Sequence, residues 1–165
     1  MSFIDDEAIR ALVALEMELS GNYVTPTMLG EYYYNKPPLY NWILLIFFKI
    51  FGTFDEFSSR FATVTFLCTY AWTIYYFFKK YFSKQTAFLT AFALITCGRV
   101  LFYDSLLGLI DIACSWVIFT QFMLIYEYFK QERWTALFLC SYFLAAIGFL
   151  LKGLPAIVFL GFTLL

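Results

Sequence analysis

The sequence predicts an all-α integral membrane protein, a polytopic bundle of transmembrane helices with two interfacial helices near its amino terminus. The first observation behind this fold class is composition: 62% of the 165 residues are hydrophobic and 14% are charged, far from the averages of soluble domains. The second is that most apolar runs after Arg60 approach the ~20 residues that a membrane-spanning helix requires. The polar residues are concentrated before Arg60, so that part is the first place to look for chemistry.

Composition also excludes several function classes. A net charge of −1 without a basic stripe argues against a nucleic-acid partner, because nothing neutralises phosphates in series. The four cysteines lie inside apolar runs without paired spacing, so neither a disulfide framework nor a zinc site is predicted. Histidine is absent, and acid–base chemistry therefore falls to carboxylates, lysine or tyrosine.

The first 60 residues predict two short helices outside the hydrocarbon core. Asp5 or Asp6 can cap a helix over residues 6–20, whose single apolar side is typical of a helix lying along a membrane surface. Residues 22–30 predict a loop, followed by the interfacial tyrosines 32–34. A second helix over residues 38–51 begins at two prolines. Its apolar run of 13 residues would reach only ~20 Å, less than the ~30 Å hydrocarbon core.

The remaining residues predict a transmembrane bundle over 61–165. Four complete spans and the start of a fifth are expected at 61–78, 86–103, 105–128, 134–151 and 154–165. The last run is short for a span, and the first residues lack the pattern of a signal peptide. We therefore expect the chain to be a fragment of a longer protein.

The distribution of lysine and arginine predicts which residues share a membrane side. The basic loops at residues 79–84 and 130–133 are two spans apart, so both are expected on the cytoplasmic side. Residues 1–60, the turn from Arg99 to Asp104, and Lys152 then face the extracytoplasmic side, provided that residues 39–51 do not cross. The sequence thus predicts one extracytoplasmic site.

Ionisable residues at or inside the membrane are costly, so each one is a candidate for function. Each also has a structural interpretation that the sequence leaves open: carboxylates can cap helices or form ion pairs, and lysine or arginine can anchor a helix end at the interface. Asp111 in particular is expected to be a structural hydrogen-bond or ion-pair partner. The residues concerned are Asp6, Glu7, Arg10, Lys36, Arg99, Asp104, Asp111 and Lys152.

The order of short motifs along the chain adds a further indication. These motifs are Asp6-Glu7-Ala8, Glu16-Met17, Ser20-Gly21-Asn22-Tyr23-Val24-Thr25-Pro26, Tyr34-Asn35-Lys36-Pro37-Pro38-Leu39-Tyr40-Asn41-Trp42, Phe51-Gly52, Arg60, Gly98-Arg99, Asp104 and Leu151-Lys152-Gly153. Together they resemble the amino-terminal part of the superfamily of dolichyl-phosphate-mannose protein mannosyltransferases and aminoarabinose transferases. The likeness extends over almost the whole chain and is strongest to the bacterial branch of these GT-C membrane glycosyltransferases.

The resemblance implies transfer of a sugar from a polyprenyl-phosphate donor to an acceptor hydroxyl, with inversion, on the extracytoplasmic side of a bacterial inner membrane. It implies Asp6 as general base, Glu7 beside it shaping the acceptor site, and Lys36 as the contact to the lipid phosphate. The other substrate-binding residues expected are Arg10, Arg99, Asp104 and Lys152. The acceptor would be a lipid or a protein.

The sequence departs from the family pattern at three places. The five residues before Asp6 in this sequence are too few for the transmembrane helix that the family pattern leads us to expect there, and the arginine often found three residues after the first acidic position is replaced by Ile9, with Arg10 next to it. Asn35 stands where some members have an acidic residue, which argues against a metal site of their type. No cofactor or metal ligand is therefore predicted, although a divalent metal stays open.

Two other functions remain open at this point. One is a transporter or channel subunit in which Asp104 and Asp111 line an ion or proton path. The other is a non-catalytic remnant of the transferase.

Overall fold

The computed structural model of the chain describes residues 6–104 and 108–164, and within them the fold is an α-helical bundle. A two-stranded antiparallel ribbon, β1 (Thr27–Met28) and β2 (Glu31–Tyr32), interrupts the helices near the amino terminus. The helices are α1 (Asp6–Ser20), α2 (Leu39–Phe51), α3 (Glu56–Phe78), α4 (Lys84–Thr96), α5 (Asp111–Lys130), α6 (Trp134–Lys152) and α7 (Pro155–Leu164).

Three of these helices, α3, α5 and α6, are long and apolar enough to cross a membrane among the residues that the structure describes. Together with the composition they make the chain an integral membrane protein. Helix α2 has 13 residues, the length that the sequence predicts for an interfacial helix. Side chains on the outside of the long helices are largely apolar and exposed, as expected for surfaces that face lipid.

The region predicted as the second span, 86–103, is not one continuous α-helix. Helix α4 ends at Thr96, because Cys97 adopts an extended backbone with ψ of 123°. The chain resumes as a short π-helix over Val100–Asp104. The third span is predicted to begin at residue 105, and residues 105–107 lie outside the described residues. The helix that corresponds to this span, α5, starts at Asp111. The break matters because it places the exposed Arg99 and the buried Asp104 at the same end of the bundle.

Helix α1 packs its apolar side against α2. Val13, Ala14 and Met17 are buried on this side, and they meet Leu44 and Phe48 of α2 in the largest apolar cluster of the described residues. Burying a side chain of this size contributes about 1.5–3 kcal/mol. This packing fixes the position of the first turn of α1, which contains Asp6 and Glu7.

The ribbon between α1 and α2 returns the chain towards the start of α1. The Glu16 carboxylate accepts hydrogen bonds from the Thr27 hydroxyl at 2.7 Å and from the Leu29 backbone amide, and the Tyr33 amide donates to the Pro26 carbonyl at 2.8 Å. These bonds close the loop that ends at Lys36. A loop predicted from its glycines and proline is therefore an ordered ribbon tied to α1.

Tyr40 ties α2 to the rest of the bundle. Its side chain is fully buried, its hydroxyl donates to the Gly108 carbonyl at 3.0 Å, and the same oxygen lies 3.2 Å from the Thr63 hydroxyl of α3. Burial raises the pKa of Tyr40 to about 12, so the hydroxyl keeps its proton and acts as a donor. One side chain thus joins α2, α3 and the segment before α5.

Replacing Tyr40 with phenylalanine is expected to cost about 1–2 kcal/mol of unfolding free energy, since the Gly108 carbonyl then loses its buried donor. Thermal unfolding of the protein in detergent would measure the change. Tyr32→Phe is a suitable control because Tyr32 is largely exposed on the ribbon, and it should leave the midpoint unchanged. Equal midpoints for Tyr40→Phe and Tyr32→Phe would show that the hydrogen bond contributes nothing.

The two basic loops lie side by side at the opposite end of the bundle. The Lys80 ammonium pairs with the Glu127 carboxylate at 2.6 Å, and the Lys130 ammonium lies 5.3 Å from the centre of the Tyr81 ring. We call this end the basic edge, and it comprises Lys79, Lys80, Lys84, Lys130 and Arg133.

Candidate functional site

The first turn of α1 and the end of the ribbon meet in an ion pair between the Asp6 carboxylate and the Lys36 ammonium. The two residues are 30 positions apart, and the ribbon is what brings them together. The Asp6 side chain is 41% exposed and that of Lys36 is 21% exposed, so both are accessible from outside the bundle. The structure therefore places the predicted base and the predicted phosphate contact side by side, where a substrate can reach them.

Glu7, the next residue, is in the opposite environment. Its side chain is 0% exposed, and Arg60 of α3 donates from Nε to Oε1 and from Nη2 to Oε2, each at 3.1 Å. Such a two-point contact between guanidinium and carboxylate fixes both groups in one plane. This location favours a positioning role for Glu7, which would hold the first turn of α1 in place. It does not favour direct contact between Glu7 and the acceptor.

The backbone at Gly108 packs directly on this pair. Gly108 has φ of +60°, which non-glycine residues rarely adopt, and a Cβ atom there would lie 2.7 Å from Glu7 Oε1 and 2.7 Å from the Ser59 hydroxyl. A side chain at residue 108 would therefore displace the buried carboxylate. The close approach lets the segment before α5 seal Glu7 from solvent.

Arg10 lies one turn further along α1 and is 2% exposed. Its Nη1 donates to Asn41 Oδ1 of α2 at 3.4 Å, while Arg10 Nη2 and Asn41 Nδ2 have no hydrogen-bond partner within the described residues. Burial lowers the pKa of the Arg10 guanidinium, and Tyr33 and Asp6 act in the opposite direction. The Arg10 guanidinium has no directly paired carboxylate among the described residues, so it gives this region a positive potential. Its N–H groups can donate hydrogen bonds to an anion.

Arg99 directly precedes the π-helical turn, and Asp104 is its last residue. Arg99 Nε is 3.6 Å from Asp104 Oδ2, but the Arg99 side chain is 78% exposed while that of Asp104 is 11% exposed. Asp104 Oδ1 is buried without a hydrogen-bond partner among the described residues. Burial raises the pKa of the Asp104 carboxyl; Arg99 opposes this change and Asp111 adds to it. An oxygen of this kind is ready to accept a hydrogen bond from a substrate hydroxyl.

Replacing Asp104 with asparagine is expected to raise the thermal midpoint at pH 8 by about 2 °C, because the variant removes a desolvated negative charge. Since the folded-state pKa of Asp104 is raised, its ionisation costs stability as pH rises through that pKa. The gain should therefore shrink towards pH 4, where more of the wild-type carboxyl is protonated. Unfolding curves at both pH values would measure it, and a midpoint lowered at pH 8 would contradict this prediction.

Lys152, at the end of α6, pairs with Asp111 at the start of α5. Asp111 therefore has the structural ion-pair partner that the sequence interpretation allowed. A polar cavity of about 320 Å³ joins Arg99, Asp104 and Asp111. An apolar groove of about 450 Å³ begins at Asp111 and Lys152 and continues between α5 and α7. The pair thus lies where the polar cavity meets the apolar groove.

The ion pairs of the site leave one of its cations, Arg10, without a directly paired carboxylate among the described residues. The site comprises four carboxylates and five cationic side chains, while further carboxylates within residues 16–56 lie outside it. A buried cation without a paired carboxylate favours binding of an anion such as a phosphate. The cationic residues are Arg10, Lys36, Arg60, Arg99 and Lys152, and the carboxylates are Asp6, Glu7, Asp104 and Asp111.

The structure brings the predicted site residues to one end of the bundle and adds three that the sequence interpretation did not include in the site. Arg60 had a detectable signal, since it is a lone arginine at the start of an otherwise uncharged run. Asn41 had a weaker one, as a polar residue inside an apolar helix. Tyr40 had none, because tyrosine is common at membrane interfaces.

Known proteins are similar to this chain in sequence and in architecture. Residues 35–165 match the family described as Dolichyl-phosphate-mannose-protein mannosyltransferase, well over half of the chain. The chain belongs to this family. Two Proteus mirabilis proteins, the undecaprenyl phosphate-alpha-4-amino-4-deoxy-L-arabinose arabinosyl transferases 1 and 2, are 29% and 30% identical over 94% and 96% of the chain. The resemblance that the motifs indicated is confirmed.

Two solved structures share the fold. ArnT from Cupriavidus metallidurans in the apo state gives a TM-score of 0.78 at 19% identity over 94% of the chain. The same protein bound to undecaprenyl phosphate gives 0.80 at 20% identity over 95%. At this identity the likeness establishes the polytopic helical architecture. The chain spans about 30% of the length of the curated relatives and 29% of the ArnT chain.

No three His, Cys, Asp or Glu side chains within residues 6–104 and 108–164 lie close enough together to hold a metal ion. The sequence interpretation had made no metal assignment. The ion pairs of Asp6, Glu7 and Asp111 occupy three of the carboxylates with cationic side chains instead.

Proposed function

We propose that the chain forms the reactive end of a glycosyltransferase that moves a sugar from a polyprenyl-phosphate donor to an acceptor hydroxyl. The observation that carries the proposal is the accessible Asp6–Lys36 pair, near the buried Arg10 guanidinium that has no directly paired carboxylate among the described residues. Membership of the mannosyltransferase family supports the reaction class. The undecaprenyl phosphate in the names of the Proteus mirabilis relatives supports a polyprenyl donor.

In this proposal Asp6 is the general base. Its carboxylate takes the proton of the acceptor hydroxyl while the hydroxyl oxygen forms a bond to the anomeric carbon of the sugar. The bond from that carbon to the phosphate oxygen breaks on the opposite face, and the polyprenyl phosphate leaves with the electron pair. Attack from the face opposite the leaving group inverts the anomeric configuration. A positioned base of this kind contributes about 10²–10⁴ in rate.

The cationic residues stabilise the leaving phosphate. Lys36 is the nearest cation to the base, and Arg10 adds positive potential from the interior without a directly paired carboxylate among the described residues. Negative charge develops on the phosphate as the bond breaks, so fixed cations stabilise the transition state more than the ground state. Arg99 lines the polar cavity, and Lys152 pairs with Asp111 at its edge. The Asp104 oxygen that has no hydrogen-bond partner among the described residues can accept a hydrogen bond from a sugar hydroxyl there.

The apolar groove beside Lys152 suits the prenyl chain. Its volume of about 450 Å³ lies within the range of small-molecule sites, and its walls include Phe119, Phe122 and Phe159. A donor with a charged head and a hydrocarbon tail matches a site in which a charged cavity adjoins an apolar groove. We place this site on the extracytoplasmic side of a bacterial inner membrane, because the basic edge lies at the other end.

The experiment that tests the proposal uses membranes carrying the complete protein and a polyprenyl-phosphate sugar labelled at the anomeric carbon. Label is expected to move from the donor to a hydroxyl of a lipid or protein acceptor, and nuclear magnetic resonance of the product should show the inverted anomer. Retained configuration would contradict the single-step mechanism. Proton or ion flux without sugar transfer would instead support a path lined by Asp104 and Asp111.

A further inference from the structure

The Arg10 guanidinium differs from the other cations of the site in the residue that holds it. The other four cationic side chains each lie within ion-pair distance of a carboxylate. Arg10 Nη1 instead donates to the side-chain oxygen of Asn41 on α2, at 3.4 Å. Asparagine is uncharged, so this contact orients the guanidinium without cancelling its charge. An aspartate has the same size and would cancel it.

Both side chains are enclosed by the part of the chain that the structure describes. Arg10 is 2% exposed and Asn41 is 0% exposed. Their remaining nitrogens, Arg10 Nη2 and Asn41 Nδ2, have no hydrogen-bond partner among the described residues. Such an arrangement costs stability, because a buried polar group is favourable only when it is hydrogen-bonded. Costs of this kind are typical of functional sites, where stability is given up for a particular arrangement of charge.

The Arg10 charge lies next to the accessible pair of Asp6 and Lys36. Arg10 follows Asp6 by four residues on α1, a spacing that places two Cβ atoms on one helix face about 5–6 Å apart. Tyr33 also lies near the guanidinium, and it shares with Lys36 a pocket of about 280 Å³ beside the ribbon. A phosphate that contacts Lys36 would therefore lie within the field of Arg10.

We infer that Asn41 is a positioning residue for the phosphate of the donor: its neutral amide holds Arg10 behind the Asp6–Lys36 pair and leaves the guanidinium charge to act on that phosphate. The inference rests on the polyprenyl-phosphate donor proposed above. Asn41 acts only through Arg10 and does not touch the donor. A full charge about 10 Å away, at the effective dielectric constant of a protein, changes the affinity for an anion by about tenfold or somewhat more.

Native mass spectrometry of the complete protein in detergent would test the inference with undecaprenyl phosphate and with undecaprenol, which has the same chain but no charge. Asn41→Asp should weaken binding of undecaprenyl phosphate about tenfold, because the new carboxylate neutralises Arg10, and should leave undecaprenol binding unchanged. Arg10→Gln should give the same loss by removing the charge itself. Asn41→Leu, which adds no charge, should weaken undecaprenyl phosphate binding by less than about threefold, since Arg10 stays charged and only its orientation is freed.

Asn22→Asp is the matched control, because it makes the same chemical change in an exposed loop. The Asn22 side-chain oxygen accepts hydrogen bonds from the Val24 and Thr25 amides, and an aspartate can accept both as well. This variant should leave the affinities for both lipids unchanged, because solvent and salt screen an exposed charge.

Three results would overturn the inference. They are unchanged binding of undecaprenyl phosphate by Asn41→Asp, an equal loss in Asn41→Asp and Asn41→Leu, and a loss of undecaprenol binding that matches the loss of undecaprenyl phosphate binding. The last two would show that Asn41 acts through packing alone. A wild-type protein that transfers no sugar, but whose preference for undecaprenyl phosphate is lost in Asn41→Asp, would contradict the proposed reaction and still support this inference.

Discussion

Sugar transfer by the complete protein is expected to fall about 1,000-fold when Asp6 is replaced with asparagine. Asparagine keeps the size of the side chain and can still accept a hydrogen bond from Lys36, but it cannot take a proton from the acceptor hydroxyl. The loss should appear in the rate at saturating donor, because the base acts in the chemical step. Initial rates with labelled donor, in membranes matched for protein content, would measure it.

The matched control lies on the same helix. Glu18, near the end of α1, pairs with Lys49 at 3.0 Å in an exposed position, so Glu18→Gln removes a carboxylate from α1 far from Asp6. It should leave the rate within twofold of wild type. Asp6→Glu should retain more activity than Asp6→Asn, since a base is still present although displaced. Full activity in Asp6→Asn would remove Asp6 from the role of base.

Local sequence pattern predicts the short helices well. The amphipathic run after Asp6 ends at Gly21, and α1 has the same extent, because capping and the glycine stop signal act locally. Helix α2 ends at Gly52 in a left-handed conformation, again a local signal. These positions follow from side-chain and backbone preferences that depend only on near neighbours.

The break in the second predicted span could not be read from composition. Hydropathy averages over a window, and residues 86–103 contain only one charged residue. The extended backbone at Cys97 and the π-helical turn after it lie beside a cavity that α3 and α5 also line, so they belong to the tertiary structure of this segment. A window average has no access to that packing.

The pairing of the candidate site residues was beyond sequence pattern for a similar reason. The sequence interpretation assigned Asp6 and Lys36 to one site but did not predict an ion pair between them. The partners of Glu7 and Lys152, which are Arg60 and Asp111, lie 53 and 41 positions away along the chain. Which carboxylate becomes buried and which stays accessible depends on the rotation of α1 against α3. The functional roles of all these residues stay predictions.

The buried ion pair between Glu7 and Arg60 is expected to contribute strongly to the stability of the protein. Replacing Glu7 with glutamine should lower the free energy of unfolding by about 3 kcal/mol, because the change removes the negative charge from a buried, two-point contact with the Arg60 guanidinium. Glutamine has the same shape, so packing against Gly108 is retained and the change reports charge. Thermal and denaturant unfolding in detergent, followed by intrinsic fluorescence, would measure it.

Comparison with Glu18→Gln separates burial from charge. Both variants remove one carboxylate from α1, but the Glu18–Lys49 pair is exposed and should contribute less than about 1 kcal/mol. Adding Arg60→Gln to Glu7→Gln should cost less than the sum of the two single changes, because both changes disrupt the same contact between the two side chains. If Glu7→Gln instead kept wild-type stability and lost sugar transfer, Glu7 would act on the acceptor directly, and the positioning role inferred from its burial would be wrong.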